Sequence, residues 1–363
     1  MLQIERKKFI LYIIFIIIFI FFTNNFYTFQ QTLLIKQFDG LSYMKIANSS
    51  HKFSEELLPY HHAQRFYIPF IIGFIGNKLN VENYLIFRIF VIFAILIIVI
   101  MHTLLTFKSN CSFKTAIISS SIIFLNPYLI RYFLSVPTMV IDIFFIMGIY
   151  IFIYGLLKKN YLIFLGALIA LISRQTGLFV FIATIYYCYE NKMFKSFLSI
   201  FLAFILIFFL SNFYAENTSI GGFNFKHLYG LYDSIFIKKE FYELTKWLML
   251  PFYSFITLII FIFTRRDIIT KNINSEKLIF FFIVLSTIGI TLLAGPELAG
   301  RNMIRQTSII FPLLVIYLIF FSKTKNSKKN FLIHEKIIIL IFYISSLHPV
   351  YSKVKILEFV RIF

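Results

Sequence analysis

An aspartate stands a few residues past the first long apolar stretch, in Phe38-Asp39-Gly40-Leu41-Ser42-Tyr43-Met44-Lys45-Ile46-Ala47. A carboxylate at the start of a short helix just outside a membrane can take the proton from a hydroxyl as that oxygen attacks an electrophile. The same side chain could instead cap the helix that begins at Gly40, for roughly 1 kcal/mol. Asp39 is thus the candidate general base, and Tyr43 in the same stretch is a candidate contact to the hydroxyl-bearing acceptor.

Further chemistry-bearing residues follow at intervals. Leu58-Pro59-Tyr60-His61-His62-Ala63-Gln64-Arg65-Phe66-Tyr67-Ile68-Pro69 offers His61, His62 and Arg65 to an acceptor or a phosphate. Such histidines are more often simply solvated loop residues, and no third ligand at metal spacing accompanies them. Asp142, in Ser135-Val136-Pro137-Thr138-Met139-Val140-Ile141-Asp142, lies inside an apolar block, where a carboxylate is costly and faces a cavity or a partner. Its possible partners are Arg88, Arg131 and Arg174. Arg174 breaks an otherwise continuous apolar run. Arg301 and Arg305 are four apart, so a helix there presents both guanidinium groups on one face, a geometry suited to phosphate oxygens or to lipid headgroups.

These residues need elements to position them, and composition says what kind. The chain has 363 residues, 60% hydrophobic and 20% aromatic, with a formal net charge of +19. Its mean hydropathy is +0.84, and its apolar blocks are long enough to cross about 30 Å of hydrocarbon. Backbone polar groups cannot stay unpaired in lipid, so the blocks predict spanning helices and an all-α membrane bundle. The alternating pattern of a membrane barrel is absent.

The spans fall at Phe9–Phe22, Tyr84–Phe107, Thr115–Ile130, Pro137–Leu157, Tyr161–Ser173, Thr176–Tyr189, Ser196–Phe213, Trp247–Thr264, Leu278–Ala294, Gln306–Phe321 and Ile337–Leu347. That makes about eleven helices in a single domain. Phe66–Ile75 is too short to cross and reads as an interfacial or re-entrant helix. Lysine and arginine clusters at Lys108 and Lys114, Lys158 and Lys159, Lys192 and Lys195, Arg265 to Lys271, and Lys323 to Lys329 share the side of the amino terminus. The positive-inside rule makes that side cytoplasmic. Two long extracytoplasmic loops result, 23–83 and 214–246. The first span follows Arg6-Lys7-Lys8 and has no small-x-small cleavage site after it, so an uncleaved anchor is expected. Cys111 and Cys188 form neither a disulfide framework nor a metal spacing.

The wording Asp-Gly-x-x-Tyr-x-x-x-Ala resembles the first extracytoplasmic loop of the GT-C superfamily of integral membrane glycosyltransferases. Leu58 to Pro69 resembles the second half of that loop in the protein O-mannosyltransferase and aminoarabinose transferase type. The resemblance runs from Phe9 to about Tyr189, with a weaker echo at Gly295–Arg305. It implies a polyprenyl-phosphate-linked sugar donor, inversion at the anomeric carbon and an active site outside the cytoplasm of a bacterial inner or plasma membrane. It also implies Asp142 as a second acid and Arg174, Arg301 and Arg305 as donor phosphate ligands. The chain departs from the O-mannosyltransferases in having Asp39-Gly40 where they have two adjacent acids. A divalent cation would be short of oxygen ligands, so neither metal nor cofactor is expected. The implied partners are the lipid-linked donor, a glycan, lipid or protein acceptor, and membrane lipids, with no nucleic acid. Two other classes stay open. A carrier or flippase for lipid-linked or anionic solutes would place polar residues deep in several helices; a lipid-linked glycan polymerase or ligase would make a polymer or ligation product.

Overall fold

The computed structural model describes residues 3–24, 39–109, 111–220, 229–239, 275–294 and 333–347, with single positions at 241, 242, 244, 245, 309, 312, 315 and 316. The expected span Trp247–Thr264, most of Gln306–Phe321, and both Arg301 and Arg305 lie outside the described residues.

The described chain is all-α apart from one short parallel bridge. Its elements are α1 (Gln3–Asn24), α2 (Gly40–Asn48), β1 (Leu58–Pro59), α3 (Tyr60–Ala63), α4 (Tyr67–Leu79), α5 (Asn83–Lys108), α6 (Phe113–Phe124), α7 (Tyr132–Ser135), α8 (Val140–Lys158), α9 (Leu162–Ser173), α10 (Gly177–Glu190), α11 (Phe194–Thr218), β2 (Ser219–Ile220), α12 (Gly230–Tyr232), α13 (Ser275–Leu293) and α14 (Ile333–Ser346). Leu58 and Pro59 of β1 pair with Ser219 and Ile220 of β2. Five stretches among the described residues are long and apolar enough to cross a membrane: Glu5–Asn24, Asn83–Lys108, Phe113–Ser135, Pro137–Lys158 and Phe194–Thr218. Several apolar helices of this length are what a membrane bundle requires.

Local chemistry sets where these helices start and stop. Ser112 caps α6 by accepting a hydrogen bond from the Thr115 amide at 3.2 Å, meeting one of the orphan donors at that end. Pro137 opens the 3-10 turn Pro137–Met139 that leads into α8, where its missing N–H costs nothing. Asn80 ends α4 in the left-handed region, an end that asparagine tolerates well. The chain then turns directly into α5, so the apolar segment expected to stay short does so as a helix of 13 residues.

Burial divides the bundle into a centre and a rim. The Pro137–Lys158 and Phe113–Ser135 stretches have 83% and 94% of their apolar windows buried, whereas α11 has 0%. A helix buried all round must be apolar all round, and α8 is so between Asp142 in its first turn and Lys158 at its end.

The tightest packing joins α8 to α9, which runs back beside it. A Cβ on Gly166 would lie 2.2 Å from the Phe152 amide nitrogen, and one on Gly148 would lie 2.7 Å from that of Ala170. Glycine at both positions lets the two backbones approach closely, the usual way for helices to pack where lipid supplies no hydrophobic drive. The α9 and α10 pair forms a short hairpin whose corner is Arg174-Gln175-Thr176. From Lys158 back to Asp142, α8 rises about 24 Å, and the 12 residues of α9 rise about 18 Å. The corner therefore stands just below the level of Asp142, within reach of a long side chain.

Candidate functional site

The start of α2, the α3 turn, the start of α8 and the α9–α10 corner meet at one end of the bundle. Gly40 lets the first and third parts of this arrangement meet. A Cβ there would lie 2.2 Å from Thr138 Oγ1, so only glycine allows α2 to sit against the Pro137–Met139 turn. Asp39 stands at the start of α2, and Asp142 follows the turn that α2 packs against.

Asp39 adopts helical backbone angles (φ −48°, ψ −26°), and its carboxylate makes no capping bond to its own helix. The capping alternative is thus not realised. Asp39 Oδ1 instead lies 3.4 Å from His62 Nε2, an ion-pair distance slightly long for a hydrogen bond. The other ring nitrogen, Nδ1, is 2.9 Å from Ser42 Oγ. His62 is buried, with the His61 ring edge-on at 4.2 Å and the Tyr43 ring tilted at 5.7 Å. His61 is exposed beside it.

Tyr43 is fully buried and accepts a hydrogen bond from Arg65 Nη1 at 3.2 Å. Burial raises its hydroxyl pKa, the Arg65 charge opposes the rise, and the Asp39 and Asp142 charges add to it, pushing it up to about 12. Tyr43 therefore keeps its proton at ordinary pH. That one hydroxyl feels both carboxylates, which puts Asp39 and Asp142 in the same electrostatic site.

Asp142 pairs with Arg174, one of its three possible partners. Arg174 Nη1 donates to Asp142 Oδ1, and both side chains are buried. Arg131 is also buried and donates to Thr23 Oγ1 at 2.7 Å, while Arg88 is exposed. A buried pair of opposite charges is close to neutral as a unit, and removing either member leaves the other uncompensated. Arg174, expected to meet a donor phosphate, has its charge balanced by Asp142.

Gln175, next along the corner, ties the hairpin to the loop above. Its Nε2 donates to the His61 carbonyl at 2.9 Å and to Gln64 Oε1 at 3.2 Å, and its Oε1 accepts from Arg65 Nε. Gln64 in turn donates to Asn212 Oδ1 on α11 at 2.8 Å. Arg65 is thus held by two neutral oxygens, from Tyr43 and Gln175, and its positive charge is not matched by a carboxylate among the described residues. It is also partly exposed. Thr138 Oγ1, fully buried against Gly40, has no hydrogen-bond partner among the described residues. No three His, Cys, Asp or Glu side chains gather as metal ligands among the described residues.

Sequence reasoning misses Gln175, Gln64, Asn212, Ser42 and Thr138, which are ordinary polar residues without a motif. It also misses a cluster deeper in the bundle. His102 of α5, fully buried, meets Tyr150 Oη at 3.2 Å and Ser120 Oγ at 3.0 Å, and nearby Tyr12 meets Ser121 at 2.6 Å. Its signal was a lone histidine in an apolar run.

Comparison with known proteins returns no match: neither a family model, nor a curated protein, nor a solved structure is similar to this chain. The functional reading therefore rests on the site.

Proposed function

We propose that the protein is a membrane-embedded glycosyltransferase that moves a sugar from a polyprenyl-phosphate carrier to an extracytoplasmic hydroxyl, with inversion and with Asp39 as general base. One observation carries this reading: Asp39, which makes no capping bond to its own helix, and Arg65, which pairs with no carboxylate among the described residues, both act on the Tyr43 hydroxyl at one end of an apolar bundle. Inverting transfer needs those two groups together. A base must accept the acceptor's proton as its oxygen attacks the anomeric carbon, and a cation must stabilise the phosphate that departs from the opposite face.

On this reading the donor phosphate is held by Arg65 in place of Arg174. A planar fork with unbalanced charge suits two phosphate oxygens. The Asp142–Arg174 pair then fixes the hairpin corner, and through Gln175 it sets the position of Arg65. Lys158 and Lys159 lie at the far end of α8 from Asp142, and α5 brings Lys108 to the Leu157 carbonyl at that same end. Positive residues at the opposite end support an extracytoplasmic site. Arg301 and Arg305 remain candidates for a second phosphate contact.

A carrier for anionic or lipid-linked solutes is the second reading, and the cluster around His102 is the observation in its favour. Its polar atoms answer one another, however: the His102 ring meets the Tyr150 and Ser120 hydroxyls. Such a knot ties helices together without offering a path for charge.

The test uses purified protein in lipid bilayers with a panel of radiolabelled polyprenyl-phosphate sugars and membrane extracts as acceptor. Wild type should transfer label from one donor. Asp39→Asn should accumulate normally and lose on the order of 10²–10⁴-fold in rate, the range for a general base. Undiminished transfer by this variant would remove Asp39 from the role, and transport of the intact donor without transfer would favour the carrier.

A further inference from the structure

We propose that His62 and Ser42 act as a positioning pair for the Asp39 carboxylate, His62 presenting an Nε2–H to Asp39 while Ser42 fixes the ring through Nδ1. The kinetic consequence rests on the transferase reading; the hydrogen-bond assignment does not.

The argument starts from what each atom can do. An ionised carboxylate only accepts hydrogen bonds, so the ring nitrogen facing Asp39 must carry the proton for the contact to be favourable. In a neutral imidazole the second nitrogen is then an acceptor. Ser42 Oγ, 2.9 Å from Nδ1, has the O–H that such an acceptor needs. If the ring gains a second proton, the same hydroxyl turns over and accepts, so Ser42 serves both states without moving.

The ring also has little freedom to do anything else. It is buried and lies between the His61 and Tyr43 rings. Its own segment is pinned on either side: Tyr60 donates to Asn212 Oδ1 at 3.2 Å and the His61 carbonyl accepts from Gln175 before it, and Gln64 donates to the same Asn212 oxygen at 2.8 Å after it. Ser42 is on the first turn of α2, the helix that Asp39 begins, so one imidazole bridges two points of that turn. The carboxylate is therefore steered from outside its helix. The 3.4 Å separation is loose for a hydrogen bond, as catalytic contacts often are before substrate docks, and a small rotation of the carboxylate closes it. A base must be held in line with the hydroxyl it deprotonates, and a misplacement near 1 Å can cost on the order of 10²-fold.

Two conservative substitutions separate this role from simple tethering. Glutamine places an amide nitrogen where His62 has Nε2, keeping the donor to Asp39 and losing the contact to Ser42. Asparagine places one where His62 has Nδ1, keeping the contact to Ser42 and losing Asp39. With the polyprenyl-phosphate sugar panel, His62→Gln should retain turnover within about tenfold of wild type. His62→Asn and His62→Ala should fall on the order of 10²-fold in kcat with donor KM little changed. The reverse order, or equal loss in Gln and Asn, would mean that His62 only pins α3 to α2, and would overturn the proposal. A second measurement needs no donor: the 15N spectrum of histidine-labelled protein in bilayers, with the His62 signal assigned by its loss in His62→Gln. Nε2 should carry a proton, whether or not Nδ1 does, and a bare Nε2 would overturn the proposal. If wild type transfers from no donor in the panel, the transferase reading fails, and the spectrum still decides whether His62 faces Asp39 as a donor.

Discussion

Two guanidinium groups stand near the same pair of carboxylates, and their surroundings give them different work. Arg174 is buried and balanced by Asp142; Arg65 is partly exposed and bonded to neutral oxygens. Asp142→Asn should therefore be damaging through Arg174, because a buried charge that loses its partner costs about 3–5 kcal/mol. The folded fraction recovered by size exclusion should drop, and the double variant Asp142→Leu with Arg174→Met should restore it. Arg65→Lys should fold normally and raise the donor KM about tenfold, since an ammonium keeps the charge but lacks the fork. Normal donor KM in Arg65→Lys, with donor binding lost in the restored double variant, would return the phosphate to Arg174. Tyr43 takes no part in any titration here. Its pKa is raised, so the protonated form persists from roughly pH 6 to 9, and the alkaline limb of a transfer profile should be unmoved in Tyr43→Phe. Residue types, spacing and the family resemblance single out Asp39, Tyr43, His61, His62, Arg65, Asp142, Arg174, Arg301 and Arg305. What they do not show is pairing, because which arginine meets Asp142 depends on the height of a hairpin corner and not on distance along the chain.

That corner is set by helix packing. Ser173-Arg174-Gln175 interrupts one long apolar block, and the interruption is visible in sequence as two short helices. Why they stop below the level of Asp142, and why Arg174 points at it, depends on Gly148 and Gly166, which look like any other glycines until the backbones are seen in contact. Gly166→Val should force α8 and α9 apart, at about 1–3 kcal/mol for an overpacked site, and lower the unfolding midpoint in detergent. Gly289→Ala in α13 is the control, since a Cβ there meets nothing within 4 Å among the described residues. Replacing a mid-helix glycine in open space should leave the midpoint unchanged or raise it, by roughly 0.5–1 kcal/mol of helix preference. Equal destabilisation by both would mean that α8 and α9 are not held by this contact, and that the Asp142–Arg174 pair is what joins them.

For the whole molecule, hydropathy marks where helices are and says little about where each one sits. Pro137–Lys158 and Phe194–Thr218 have the same hydropathy, 2.3, yet 83% of the first window and 0% of the second are buried. Lipid and protein interior are equally apolar, so a central helix and a rim helix read alike. Sidedness comes instead from charge, and it can be tested directly. Cys111 and Cys188 are buried, so the native chain offers a low background to thiol reagents. Lys52, between α2 and α3, is exposed, as are Lys158 at the end of α8 and Lys195 at the start of α11. Lys52→Cys should react with a membrane-impermeant maleimide on intact cells, and Lys158→Cys and Lys195→Cys only after permeabilisation. The distance supports the contrast, because about 24 Å of α8 separates Lys158 from Asp142, most of a hydrocarbon layer of about 30 Å. Lys158→Cys labelled from outside with Lys52→Cys protected would turn the bundle over and put Asp39 and Arg65 on the cytoplasmic face, away from a donor displayed outside. Labelling of both from outside would mean that α8 does not span, and a site assembled at its far end would then have no membrane to face.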